Sequence, residues 1–238
     1  MLNLTLEGWL DGATALLIVC FGSIVAIIIL VISRKIQAEL LPYGAIMAWF
    51  ASLLWLAPAT DFLTILGTGH NMDNDIGNGL YGILSYMWVA PTLITALYLG
   101  AKLLIPEKRK VVLIMYIILG IVFEIFLFAQ TAASFVFTMP PLPGDVLIDA
   151  RFNYAHPTFY FIAAFLCSVI GINVVGSLYR AKNSAGKIRT KFTLLAVVFL
   201  LFVVVAVFDA LLSPGPVLFV ARLGMLVCAV LIYKVLKP

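Results

Sequence analysis

The chain has 238 residues, of which 64% are hydrophobic and 11% charged, with a mean hydropathy of +1.15 and a formal net charge of +4. A water-soluble fold of this length carries about a quarter of its residues as Asp, Glu, Lys or Arg. A cytosolic enzyme, a nucleic-acid-binding module and a disordered chain are therefore excluded, and the chain reads as an all-α integral membrane protein.

A helix needs about 20 apolar residues to cross the hydrocarbon core, and the stretches 9–33, 39–66, 79–105, 111–138, 157–179, 191–213 and 216–236 qualify. Span one follows MLNLTLEGWLDG, which has no Lys or Arg and no small-residue cleavage pattern after the apolar run. It is expected to be a retained span rather than a removed signal peptide. Asn3-Leu4-Thr5 matches a glycosylation acceptor, but so short a terminal match reads better as coincidence. Spans two and three carry Pro58 and Pro91, which are expected to kink them beside Asp61 and Trp88. Span four places Glu124 near its middle, and span six places Asp209 just before the turn Ser213-Pro214-Gly215-Pro216. Span seven places Arg222 just after that turn.

Charge orients the bundle. Arg34, Lys35, Lys102, Lys108, Arg109, Lys110, Arg180, Lys182, Lys187, Arg189, Lys191, Lys234 and Lys237 fall on one side, thirteen of the 15 basic residues. The positive-inside rule then predicts a seven-transmembrane helix bundle with the N-terminus outside and the C-terminus cytoplasmic, multi-pass in the plasma membrane. Glu7, Asp11, Asp73, Asp75, Asp145 and Asp149 are expected in the outer connections, and 1–238 forms a single domain with no soluble domain. Trp9, Tyr43, Tyr81, Tyr154, Tyr179 and Tyr233 fit an aromatic belt at the two interfaces. An echo between LAPATDFL in span two and VAVFDALL in span six suggests a parallel duplication around span four.

Polar residues within the bilayer narrow the chemistry, because each ionisable group costs about 2.5–3.5 kcal/mol at a helix centre and must face protein or water. Asp209 and Arg222 lie at equal depth on consecutive antiparallel spans, so an interhelical salt bridge is expected. The functional alternative is an outward-open pocket in which Arg222 holds an anionic ligand, with Asp61 completing the cluster and Trp88 beside it. Glu124 reads either as a structural hydrogen-bond donor or as the proton-binding group of a transporter. Cys20, Cys167 and Cys228 lie within spans and read as packing residues. His70 and His156 are expected at the surface or in loops, which leaves no haem or metal set and no cofactor.

Rhodopsins need a Schiff-base lysine inside the last span, but its one lysine, Lys234, sits at the basic end. The large receptor class needs an acidic-Arg-Tyr signature where this chain reads YLGAKLLIPEKRK. GKIRTK leading into span six, then FDALLSPGP, then a last span ending in basic residues resembles the seven-helix membrane sensor region of prokaryotic histidine kinases and stand-alone prokaryotic seven-helix proteins. The kinase pattern's dimerisation helix and ATP-binding domain are not found in these residues. The resemblance therefore implies a sensor module that signals through a separate cytoplasmic or membrane protein partner.

The leading expectation is a non-enzymatic sensor or receptor-like protein that takes a small-molecule ligand from the outer side near Asp61, Trp88, Asp209 and Arg222. Its basic loops would meet a partner or the anionic leaflet of the lipid bilayer, and no nucleic acid is expected. The rivals are a secondary transporter or channel built on Glu124 and an accessory subunit of a larger membrane complex. An intramembrane enzyme is disfavoured because the expected catalytic clusters are missing.

Overall fold

A computed structural model describes residues 4–72, 79–211 and 215–237. Asn3, Asp73, Asp75, Ser213 and Pro214 lie outside the described residues. In order, the elements are α1 (Leu6–Ile36), α2 (Leu41–Leu53), α3 (Leu56–Thr68), α4 (Leu80–Tyr86), α5 (Val89–Leu104) and α6 (Arg109–Ala129). They continue with α7 (Thr131–Ser134), β1 (Phe135–Thr138), β2 (Asp149–Phe152) and α8 (Pro157–Ser168). A π-helical segment (Val169–Val175) leads into α9 (Gly176–Lys182), followed by α10 (Gly186–Leu211) and α11 (Pro216–Leu236). Among the described residues six helices are long and apolar enough to cross a membrane, and the pair α2–α3, bent by 46°, makes up to seven. The set is compatible with a multi-pass membrane protein.

Proline explains both interruptions. Its ring clashes with the carbonyl four residues earlier and supplies no N–H. Pro58 therefore acts on Leu54, where α2 gives way to α3, and Pro91 acts on Met87, where α4 gives way to α5. Successive spans pack side by side in chain order, and α11 closes the ring against α1 and α2. α5 lies within the ring, touching α2, α6, α8 and the π segment. Small residues permit these approaches, as where Gly100 faces Asn173 closely enough that an added Cβ would collide with its amide.

The fourth apolar stretch departs from expectation. Its helix ends at Ala129, and Phe135–Thr138 pairs antiparallel with Asp149–Phe152 in the register Phe135↔Phe152 to Thr138↔Asp149. Phe-Val-Phe-Thr is apolar enough to extend a hydropathy window, but its aromatic and β-branched side chains suit a pleated strand. Glu124 consequently lies in the last turns of α6 rather than at the middle of a span.

The hairpin and its loop lie across one end of the bundle, called here the hairpin end. Thr5 caps α1 there, and its backbone N–H and hydroxyl both donate to the Asp145 carbonyl, at 2.8 and 3.0 Å. His156, expected at the surface or in a loop, lies in the loop before α8 but is buried. Its Nε2–H donates to Gln130 Oε1 at 2.8 Å, and its Nδ1 accepts from the Thr158 amide as the cap of α8. Its Nδ1 also lies 3.3 Å from Ser134 Oγ, so the ring closes a polar network between α6 and α8. His70 is exposed.

The opposite, basic end is simpler. Helix α9 stops at Lys182 and α10 starts at Gly186, so Lys187, Arg189 and Lys191 ride on helix rather than in the longer loop expected. Lys102 sits under Glu39 at 2.6 Å and over the Tyr43 ring at 4.8 Å. The lysine holds the Glu39 carboxyl below the usual carboxylate range by hydrogen bond and charge. A depressed carboxyl stabilises the fold above its unfolded pKa and loses that contribution as pH falls through its folded value. Glu39→Gln should therefore remove a small stabilisation at neutral pH and flatten the acid limb of a stability-versus-pH curve by the same amount, small because Glu39 is fully exposed. Lys102→Ala, which also removes the alkyl packing and the cation over Tyr43, should cost about 1–2 kcal/mol in chemical unfolding.

Candidate ligand cavity and its charge cluster

Three charged side chains meet near the hairpin end. Asp11 is in the second turn of α1, Asp209 is near the end of α10, and Arg222 is in the second turn of α11. Arg222 Nε donates to Asp209 Oδ1 at 2.6 Å, and Nη1 donates to the Asp11 carboxylate. Trp55, held at the break between α2 and α3, donates its indole N–H to the same Asp209 oxygen at 3.2 Å. The expected Asp209–Arg222 bridge is thus one side of a triad that sequence reasoning missed, with Asp11 assigned to an outer connection. Helix α1 begins at Leu6, earlier than the apolar run alone indicates, and this carries Asp11 into the bundle.

Both carboxylates engage the guanidinium, so Arg222 is not poised to receive an anion as the pocket reading supposed. Arg222 is 5% exposed and Asp11 is 7% exposed. Two acids against one base leave a formal charge of −1 in the triad. Charges this buried persist only when paired and hydrogen-bonded.

The triad borders a cavity of about 420 Å³, a size typical of small-molecule sites. Asp11, Asp209, Arg222, Trp55, Tyr81 and Tyr86 contribute to its wall, with the strand residues Asp149, Ala150 and Phe152 at the hairpin side. Most of the rest is apolar and comes from α8 and α10. Tyr81, expected in an interfacial belt, is instead 5% exposed and faces this interior. A smaller void of about 40 Å³ lies deeper, and Thr92 and Phe202 line both.

Asp61 and Trp88 do not line this cavity. Asp61 is fully buried in α3 and serves the hairpin end as an anchor. It accepts the Met72 amide at 2.7 Å, the Ile148 amide at 2.9 Å and the Asn71 side-chain amide at 3.0 Å. Asn71 in turn bonds Gly144 N–H and the Val146 carbonyl. Asp61 therefore does not complete the Asp209–Arg222 cluster, because three loop donors consume its oxygens. Trp88 stacks on Phe50 with ring centroids 5.9 Å apart, and its buried indole N–H has no partner among the described residues.

Glu124 is likewise away from the cavity, and both its oxygens are buried without a hydrogen-bond partner among the described residues. The π segment offers a feature that sequence patterning does not signal. Asn173 is buried there and donates to the Ala96 carbonyl at 2.9 Å, pinning the widened turn to α5. Among the described residues no group of His, Cys, Asp and Glu is arranged to hold a metal ion. Cys20 and Cys167 are exposed free thiols, and Cys228 is buried. No protein-family model matches the chain, and no curated protein matches it.

Proposed function

We propose that the protein is a non-enzymatic sensor or receptor-like protein of the plasma membrane, with seven transmembrane spans, the hairpin end outside and the basic end cytoplasmic. The observation that carries this reading is the cavity of about 420 Å³ bounded by a buried ion triad from three different spans. A ligand beside Asp209 contacts the group that ties α1, α10 and α11 together, so occupancy biases how those helices sit. Their other ends carry Arg34, Lys35, Lys187, Arg189, Lys191 and Lys234, a basic surface suited to an acidic protein partner or to anionic lipid.

The test uses a substitution that imitates occupancy. Ala206 lines the cavity from α10, and Ala206→Trp fills part of it. Spin labels at Lys182 and Lys234 should then report a change of about 2 Å or more in the distance between the basic ends, the scale of helix shifts in switching proteins. An unchanged distance distribution, with the variant folded, contradicts the sensor reading. Single cysteines introduced at Pro141 and Lys187 test the orientation, since only the first should react with an impermeant maleimide on intact cells.

A proton-coupled transporter is the second reading, favoured by the Glu124 carboxyl, which has no hydrogen-bond partner among the described residues. A buried acid without a partner is a stability cost that function must justify. On the sensor reading Glu124→Met raises thermal stability and leaves cavity occupancy unchanged. Proton-coupled uptake into liposomes that Glu124→Met abolishes would establish the transporter instead.

A further inference from the structure

The span made of α8, the π segment and α9 does not keep one neighbour along its length. Its basic half packs along α10 through the π segment and α9, whereas α8 packs on α5, α6 and α7. α8 and α10 therefore part above the π segment, and the cavity lies between them. On α8 the residues Phe159, Ala163 and Leu166 line it, continued by Ile170 of the π segment, and Val203, Val207 and Ala210 line it from α10. These spacings put each set on one helical face, and the two apolar faces look across a gap instead of at each other. The gap reaches the bundle surface, because Cys167, Ile170 and Leu211 both line the cavity and are exposed.

We propose that this cavity is entered sideways from the bilayer, between α8 and α10, by a single-chain amphiphile with an ammonium head. The inference rests on the ligand-cavity reading above and names the ligand class. From Ile170 to Phe159 the cleft runs roughly 16 Å at helical rise, about half of a hydrocarbon core, which suits one acyl chain from one leaflet. The head would lie where the cleft meets β2 and the triad. Asp11, Asp149 and Asp209 face that end against the single guanidinium of Arg222, with Arg151 bound to Asp149 at 3.0 Å behind them. Asp209 is 29% exposed, and its second oxygen has no hydrogen bond among the described residues. Tyr154 and Phe159, which line the same cavity, meet edge to face at 5.0 Å, and aromatic faces with a carboxylate favour an ammonium over a carboxylate or phosphate. An anionic head would instead meet uncompensated negative charge.

Native mass spectrometry of the full chain from dodecylmaltoside, titrated with sphingosine, oleate or monoolein, separates the alternatives by head charge at matched chain type. One sphingosine should bind saturably, at least about tenfold tighter than the other two, and Asp209→Asn should weaken it about tenfold, as expected for loss of one charge-assisted contact. Asp209→Asn keeps an acceptor for Arg222 and Trp55, and Ala163→Trp, remote from the triad, should block binding as a second variant. In a Cys20→Ala background, sphingosine should protect Cys167 from a bulky maleimide, and prior labelling should prevent binding. Equal binding of oleate or monoolein, blocked by Ala163→Trp, overturns the ammonium assignment and leaves the ligand cavity standing. Binding indifferent to Cys167 labelling overturns lateral entry, and no binding by any of the three overturns the ligand cavity as well.

Discussion

Arg222→Leu is expected to lower stability by about 3–5 kcal/mol, since removing one member of a buried ion pair strands the remaining charge. Here two carboxylates are stranded, one of them nearly inaccessible. The effect should be read by urea unfolding in mixed micelles against the parent chain. Removing all three charges together, as Arg222→Leu with Asp11→Leu and Asp209→Asn, should recover most of the loss, because the cost belongs to the unpaired state. The charge swap D209R/R222D should not recover it. The swap sets a new carboxylate at 222 against Asp11, whose one cation among the described residues was the guanidinium it replaced. A two-member bridge would tolerate that exchange, so the swap distinguishes a pair from a triad.

Asp61→Ala carries the second large expected effect, about 3–5 kcal/mol. It leaves the buried Met72 and Ile148 amides without an acceptor, at about 1–3 kcal/mol each, and frees Asn71 from one of its bonds. The damage should be local before it is global. Hydrogen exchange at the Met72 and Ile148 amides should accelerate under conditions where α1, α10 and α11 remain protected. Uniform acceleration throughout the chain would show that Asp61 supports the bundle as a whole and not the hairpin end.

What sequence patterning discloses here follows from how local each signal is. Apolar runs of span length are local, so every long helix overlaps a stretch that hydropathy marks, although α1, α6 and α10 begin before theirs. Pro58 and Pro91 are local too, and each breaks its helix four residues earlier. Asp209 and Arg222 were paired by equal depth either side of a turn, which requires only helical rise. Asp11 escaped because its depth depends on where α1 begins, and a Thr5 cap rather than hydropathy determines that. Phe135–Thr138 escaped because hydropathy does not separate a strand from a helix in a short apolar run. An outer pocket was expected at Asp209 and Arg222, and both line the cavity, but its extent could not be read. It arises where α8 and α10 part beyond the π segment, a tertiary property that neither helix carries alone.

The most direct measurement of the central claim is a side-chain-resolution density map of the protein extracted in native lipid discs, without added detergent. The account predicts an elongated density between α8 and α10, its polar end within hydrogen-bond distance of Asp209 and its tail against Leu166 and Ile170. Contact between α8 and α10 along their full length, with the cavity closed and the Asp11–Arg222–Asp209 triad intact, would contradict it.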